Sequence, residues 1–80
     1  MLFLSAVDEL SWTFVGSDPA NWSFESSVDG LTEWEGEFIA NGFERVTSIP
    51  EGNLFYRMFG VDDDSNPVTP RSNVVWQGES

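Results

Sequence analysis

Two stretches of this chain alternate strictly between large apolar and small polar side chains. In "LSWTF", Leu10, Trp12 and Phe14 fall on one side of an extended backbone, with Ser11 and Thr13 on the other. In "WSFESS", Trp22 and Phe24 alternate with Ser23 and Glu25 in the same way. A period of two fits a half-buried strand and misplaces every ring on a helix. No stretch of the chain shows helical periodicity, so the fold is expected to be built from strands alone.

Turn-forming residues punctuate the rest at even spacing. "LFLSAV" (Leu2 to Val7) reads as a short apolar opening strand, and "GSDPAN" (Gly16 to Asn21) as a turn. Asp29-Gly30 and Asn41-Gly42 are two-residue turn signals where positive φ is needed. "TEWEGEFI" is the expected return strand after the first of them, and "FERVTSI" (Phe43 to Ile49) the strand after the second. Pro50-Glu51-Gly52-Asn53 turns the chain into "LFYRMFGVD"; "DDDSNPVTP" is a loop, and "SNVVW" (Ser72 to Trp76) closes the fold. Seven short strands without repeat or linker predict one domain, 1–80, folded as a seven-stranded antiparallel β-sandwich.

Eighty residues lie near the lower limit for unaided folding, and such a chain buries only roughly 60% of its unfolded surface. Four Trp, seven Phe and one Tyr supply a core despite the high charge, and no Cys is present to form a disulfide. The expected core is Leu10, Trp12, Phe14, Trp22, Phe24, Leu54, Tyr56 and Met58. Parity cannot assign Trp34 and Trp76, each of which fits core or rim.

Fourteen Asp and Glu face only Arg45, Arg57 and Arg71, giving a net charge of −11. Such a surface repels phosphate backbones and anionic lipid, so no nucleic-acid or membrane partner is expected. The apolar start lacks a positive n-region and ends by Val7, so no secretory signal is expected and the product reads as intracellular. "NWS" (Asn21 to Ser23) is then a chance match to the glycosylation sequon.

The absence of His and Cys removes the commonest general base, the commonest thiol nucleophile and most transition-metal ligands. Glu33, Glu35 and Glu37 alternate along one strand face and read as solvated, edge-blunting side chains rather than paired catalytic carboxylates. Asp62-Asp63-Asp64-Ser65-Asn66 offers oxygen ligands but lacks the alternation, central Gly and terminal Glu of a calcium-binding loop. No enzyme activity, catalytic residue, metal site or cofactor is expected.

The order of these motifs resembles a fibronectin type III domain over nearly the whole chain. The resemblance rests on the Leu-Ser-Trp strand, an aromatic strand ending Ser-Val-Asp-Gly, the Ile-Pro-Glu-Gly-Asn turn, a strand carrying Arg and ending Gly-Val-Asp, and the "SNVV" ending. It implies that Trp12 fills the core centre, that Pro50 and Gly52 lead into the sixth strand, and that Ser72 to Val75 begin the last. Leu54 stands where the family usually has a Tyr, which removes the tyrosine-corner hydrogen bond unless Tyr56 takes that role.

In this register Leu54, Tyr56, Met58 and Gly60 face the core, while Phe55, Arg57, Phe59 and Val61 face outward beside Ser23, Glu25 and Ser27. An apolar stripe around an Arg, rimmed by polar groups, has the make-up of a protein contact surface. The competing reading is a shifted register, or an N-terminal segment folded over these rings. The candidate partner-contact residues are therefore Phe55, Arg57, Phe59 and Val61, joined by Leu2 and Phe3 of the opening strand. By analogy, a Met-initiated fibronectin-like domain without a signal resembles accessory proteins of bacteriophage particles. The expected function is a virion structural protein, such as a capsid decoration or cement subunit, assembled in the host cytoplasm. Its partners would be capsid or tail proteins or copies of itself. The alternative is a carbohydrate- or host-surface-binding module using Trp34 or Trp76.

Overall fold

A computed structural model describes residues 1–6, 9–48 and 54–77. The described residues are all-β, without a helix, and form two antiparallel sheets. The first sheet has the order β1-β2-β5, from Leu2–Ala6 (β1), Leu10–Phe14 (β2) and Val46–Thr47 (β5). The second has the order β4-β3-β6-β7, from Asn21–Ser27 (β3), Glu35–Asn41 (β4), Leu54–Val61 (β6) and Val75–Gln77 (β7). The sheets pack face to face as a sandwich-like pair, each contributing its apolar side to one core. Val7, Ile49 and the expected turn at 50–53 lie outside the described residues.

The alternating stretches fold as their period requires. β2 pairs with β1 so that Leu4 lies opposite Trp12 and Leu2 opposite Phe14. β3 is central in the second sheet and pairs with β6 through Trp22↔Gly60, Phe24↔Met58 and Ser26↔Tyr56. Leu10, Trp12, Trp22, Phe24, Tyr56 and Met58 are buried, and Phe14 and Leu54 pack against them half-buried. Across the core, the Trp12 ring meets Phe24 edge-on at 5.1 Å and Trp22 at 6.3 Å. Edge-to-face contacts of this kind add to the energy of area burial. The Trp22 indole N–H donates to the Gly42 carbonyl at 2.9 Å, which satisfies the polar end of a fully buried ring.

The connections differ from the two-residue turns expected. Gly30 does adopt positive φ (73°), but β3 ends at Ser27 and β4 starts only at Glu35. The connection is held open by Asp29, whose carboxylate accepts from the Leu31 and Thr32 backbone N–H groups at 2.9 Å each. After Asn41 the chain leaves for the other sheet, so Asn41-Gly42 is a crossover and not a hairpin turn. Gly42 is needed there for another reason: a Cβ would stand 1.7 Å from the Pro19 carbonyl oxygen. Of the described part of the expected Phe43–Ile49 strand, only Val46–Thr47 is strand, and the last strand starts at Val75 rather than Ser72.

The segment between β6 and β7 does not wander. Val61 bridges to Pro67, the Val68 N–H donates to the Gly60 carbonyl at 2.9 Å, and the Ser72 N–H donates to the Met58 carbonyl at 2.8 Å. The Thr69 and Ser72 hydroxyls accept from the Gly60 and Met58 N–H groups at 2.7 and 3.0 Å. Side chains and irregular backbone thus complete the ladder that two prolines would interrupt.

Candidate functional site

The outer face of the four-stranded sheet carries the register read from the sequence. Ser27 lies opposite Phe55, Glu25 opposite Arg57, and Ser23 opposite Phe59. β7 extends the first of these rows by placing Trp76 opposite Phe55, with ring centroids 6.4 Å apart. Trp76 is 57% exposed and Phe55 half-buried, so the pair presents an open aromatic step. Gly30 lets the Phe55 ring lie against the β3–β4 connection, because a Cβ there would come within 2.8 Å of the ring.

Beside this step lies a stacked charge arrangement. The Arg57 guanidinium sits 4.1 Å from the centre of the Trp34 ring and donates from Nε to Glu25 at 2.7 Å. Arg71 approaches the same Glu25 oxygen at 3.6 Å and lies 5.1 Å from the centre of Phe59. Arg45, at one end of the sandwich, repeats the pattern with Asp18 and the Trp22 ring. Each Arg of the chain is therefore held against an aromatic face and beside a carboxylate. Two of the three arginines of the chain lie on this one sheet face and share the Glu25 carboxylate.

Four of the six expected contact residues require correction. Phe59 and Val61 are 8% and 2% exposed. They do point away from the core, but Arg71 covers the Phe59 ring and the returning 62–72 segment pairs along Val61 and Gly60. Leu2 is 9% exposed, because in β1 its side chain lies on the core side of the sheet. Phe3 is 49% exposed, but on the outer side of the three-stranded sheet opposite Thr13. It therefore cannot share a surface with Phe55. Phe55 and Arg57 remain, joined by Trp76 and Trp34. Parity could not assign those two because both follow irregular connections.

The carboxylates of β4 sit at a sheet margin, as expected for Glu35 and Glu37, although Glu33 precedes the strand and has a φ of 56°. The β3–β4 register shifts between Phe24 and Glu25, which leaves Glu37 as the extra residue of a bulge where it accepts from the Ser26 hydroxyl. A groove of about 720 Å³ opens here, lined by Ser26, Asp29, Trp34, Glu35, Glu37 and Leu54 among others. Burial, with the nearby negative charge of Glu37, raises the Tyr56 phenol above its ordinary value of 10.0.

The "DDDSN" loop is closed on itself. Asp62 Oδ1 accepts from the Asp64 and Asn66 backbone N–H groups at 2.9 Å each. No group of three or more acidic side chains in metal-binding geometry occurs among the described residues. Also among them, no helix is long and apolar enough to cross a membrane. Compared with protein-family models, curated proteins and solved structures, the chain matches none of them.

Proposed function

We propose that this chain is a non-enzymatic structural subunit that works through protein contacts: a fibronectin type III-like sandwich serving as a bacteriophage virion accessory protein, such as a capsid decoration or cement subunit. The partition of strands supports the domain type. Strands one, two and five lie in one sheet and strands three, six and seven in the other, which is the immunoglobulin-like division, with the fourth strand joined to the second group. Trp12 at the centre of the core fits the same reading.

The observation that carries the contact role is Trp76, 57% exposed beside Phe55 on a face that also holds Arg57 against Trp34. Trp, Phe and Arg are the residue types enriched in the buried centres of protein interfaces. Burying the Phe55 and Trp76 rings against a partner supplies roughly 3–6 kcal/mol of gross hydrophobic energy, before the costs of association. The mechanism is passive: apolar area buried between neighbouring subunits raises the barrier to their separation.

The test is to sediment gentle lysate from the natural source and follow the chain by mass spectrometry. Co-migration with particles of virion size is the expected result. The double substitution Phe55→Ser with Trp76→Ser should leave the fold intact and release the chain from the particle. Migration as a free small species rules the virion reading out. The exposed Trp76 ring also favours a second reading, stacking on a sugar. Glycan binding that disappears with Trp76→Ala would select it.

A further inference from the structure

The two lateral margins of the sandwich are treated differently. On one side β1 and β7 approach each other, and the Asn73 side-chain amide takes both the N–H and the carbonyl of Leu4. That margin is closed. On the other side stands β4, the seven-residue edge of the larger sheet; among the described residues the Asn41 carbonyl accepts from the Glu44 N–H at 3.0 Å, and nothing else pairs with its outer backbone. Every second residue of an edge strand presents its N–H and carbonyl outward, ready to accept an added strand. The stretch Phe38–Asn41 pairs with β3 in unbroken register, and Ile39 there is 60% exposed.

Charge selects what can lie along this edge. Glu33, Glu35 and Glu37 flank its start, all three exposed and outside any ion pair among the described residues. The three Arg side chains are held at Asp18 and Glu25 and leave these carboxylates without an internal counter-charge. A second copy brings the same Glu row and a net charge of −11 to the margin, so like-charge repulsion opposes self-pairing. A strand carrying Lys or Arg has the complementary charge, and the groove beside Glu35 and Glu37 gives a long cationic side chain room to reach them.

We infer that the outer edge of β4 binds an extended, basic segment of a partner protein, which adds a fifth strand to the four-stranded sheet along Phe38–Asn41 with its cations directed to the Glu33–Glu37 row. This surface borders the Phe55–Trp76 face at Trp34 but uses neither Phe55 nor Trp76. Different substitutions therefore test the two contacts.

The test is an NMR titration of the isotopically labelled full chain with a synthetic peptide of alternating Lys and Val, and with its Glu–Val counterpart. The Lys–Val peptide should bind, with shifted resonances and slowed amide exchange at alternate residues of Phe38–Asn41. The Glu–Val peptide should leave the spectrum unchanged. Glu33→Lys with Glu35→Lys, both at exposed positions, should keep the free spectrum and weaken Lys–Val binding about tenfold, the equivalent of about 1.4 kcal/mol. No binding of the Lys–Val peptide overturns the inference. Binding without slowed exchange along β4 also overturns it, because it shows charge attraction without strand addition, and so does equal binding of the two peptides.

Discussion

Asn73 completes the backbone hydrogen bonding of Leu4 across 69 residues of sequence: its Oδ1 accepts from the Leu4 N–H at 2.8 Å and its Nδ2 donates to the Leu4 carbonyl at 2.9 Å. One side-chain amide thus does for β1 what a neighbouring strand would do, and ties the first sheet to the segment leading into β7. Asn73→Ala leaves both Leu4 groups to find water in a part-buried site. The expected loss is about 1–3 kcal/mol in chemical denaturation. Asn73→Asp should be no better than Ala at neutral pH, because a carboxylate cannot donate to the Leu4 carbonyl.

The two core tryptophans should respond differently to the same substitution. Trp22 donates to Gly42, whereas the Trp12 N–H is buried without a partner among the described residues. Replacement by Phe removes similar volume from each site, but at Trp12 it also removes an unpaired donor. The Gly42 carbonyl keeps a second donor, Arg45 at 2.9 Å, so little further penalty follows at Trp22. Trp22→Phe should cost about 1–2 kcal/mol more than Trp12→Phe. Equal losses in urea denaturation would show that the Trp12 donor has found water.

Glycine positions offer a paired test of close approach. A methyl group at Gly42 meets the Pro19 carbonyl, while one at Gly36 meets nothing within 4 Å. Gly42→Ala must therefore push two backbone segments apart, with an expected loss of about 3 kcal/mol or more. Gly36→Ala, in an exposed strand position, should be neutral or stabilise by up to about 1 kcal/mol through the unfolded state. Thermal melts of the two variants separate these outcomes.

Glu25 holds two arginines on the outer sheet face. Glu25→Gln leaves the Arg57 and Arg71 guanidiniums without their shared carboxylate. Glu25 and Arg57 are only 18% and 22% exposed at the side chain, while Arg71 is 54% exposed and well screened. The expected cost is about 1–2 kcal/mol, between that of a surface pair and that of a fully buried one. Phe59 should become more exposed as Arg71 loosens, which increased dye binding would report.

The strands with clean alternation were legible because their side chains answer to local parity. Leu10–Phe14 starts and ends where the pattern does, and parity puts Glu25 and Arg57 on the same outer face, where the structure pairs them. The burial of Phe59 and Val61 was not legible, because it depends on where a loop with two prolines returns. Pattern reading assigned that segment to solvent; serine and threonine hydroxyls instead let it pair with β6. Asp29-Gly30 misled on connection length for a related reason. The dipeptide supplies the expected positive φ, but the Asp29 carboxylate organises a longer connection around itself. Trp34 and Trp76 follow irregular chain, where side-chain parity has no fixed origin.

Asp29 and Tyr56 should set opposite limbs of the stability profile. Backbone donation from Thr32 and Leu31, then the Ser27 and Thr32 hydroxyls, hold the Asp29 carboxyl well below its ordinary 3.8. A depressed pKa in the folded state means that the unfolded state binds the proton first, so this contribution is present above 3.8 and lost as pH falls below it. Tyr56 is raised above 10.0 by burial and then by Glu37, so the folded state holds its proton more tightly. Its contribution is complete below 10.0 and is lost as pH rises through the folded-state value. Urea midpoints measured across pH should therefore fall at both extremes. Asp29→Asn should flatten the acid limb alone, and Tyr56→Phe the alkaline limb alone. An acid limb unchanged in Asp29→Asn would show that the hydrogen bonds around residue 29 persist in the unfolded chain.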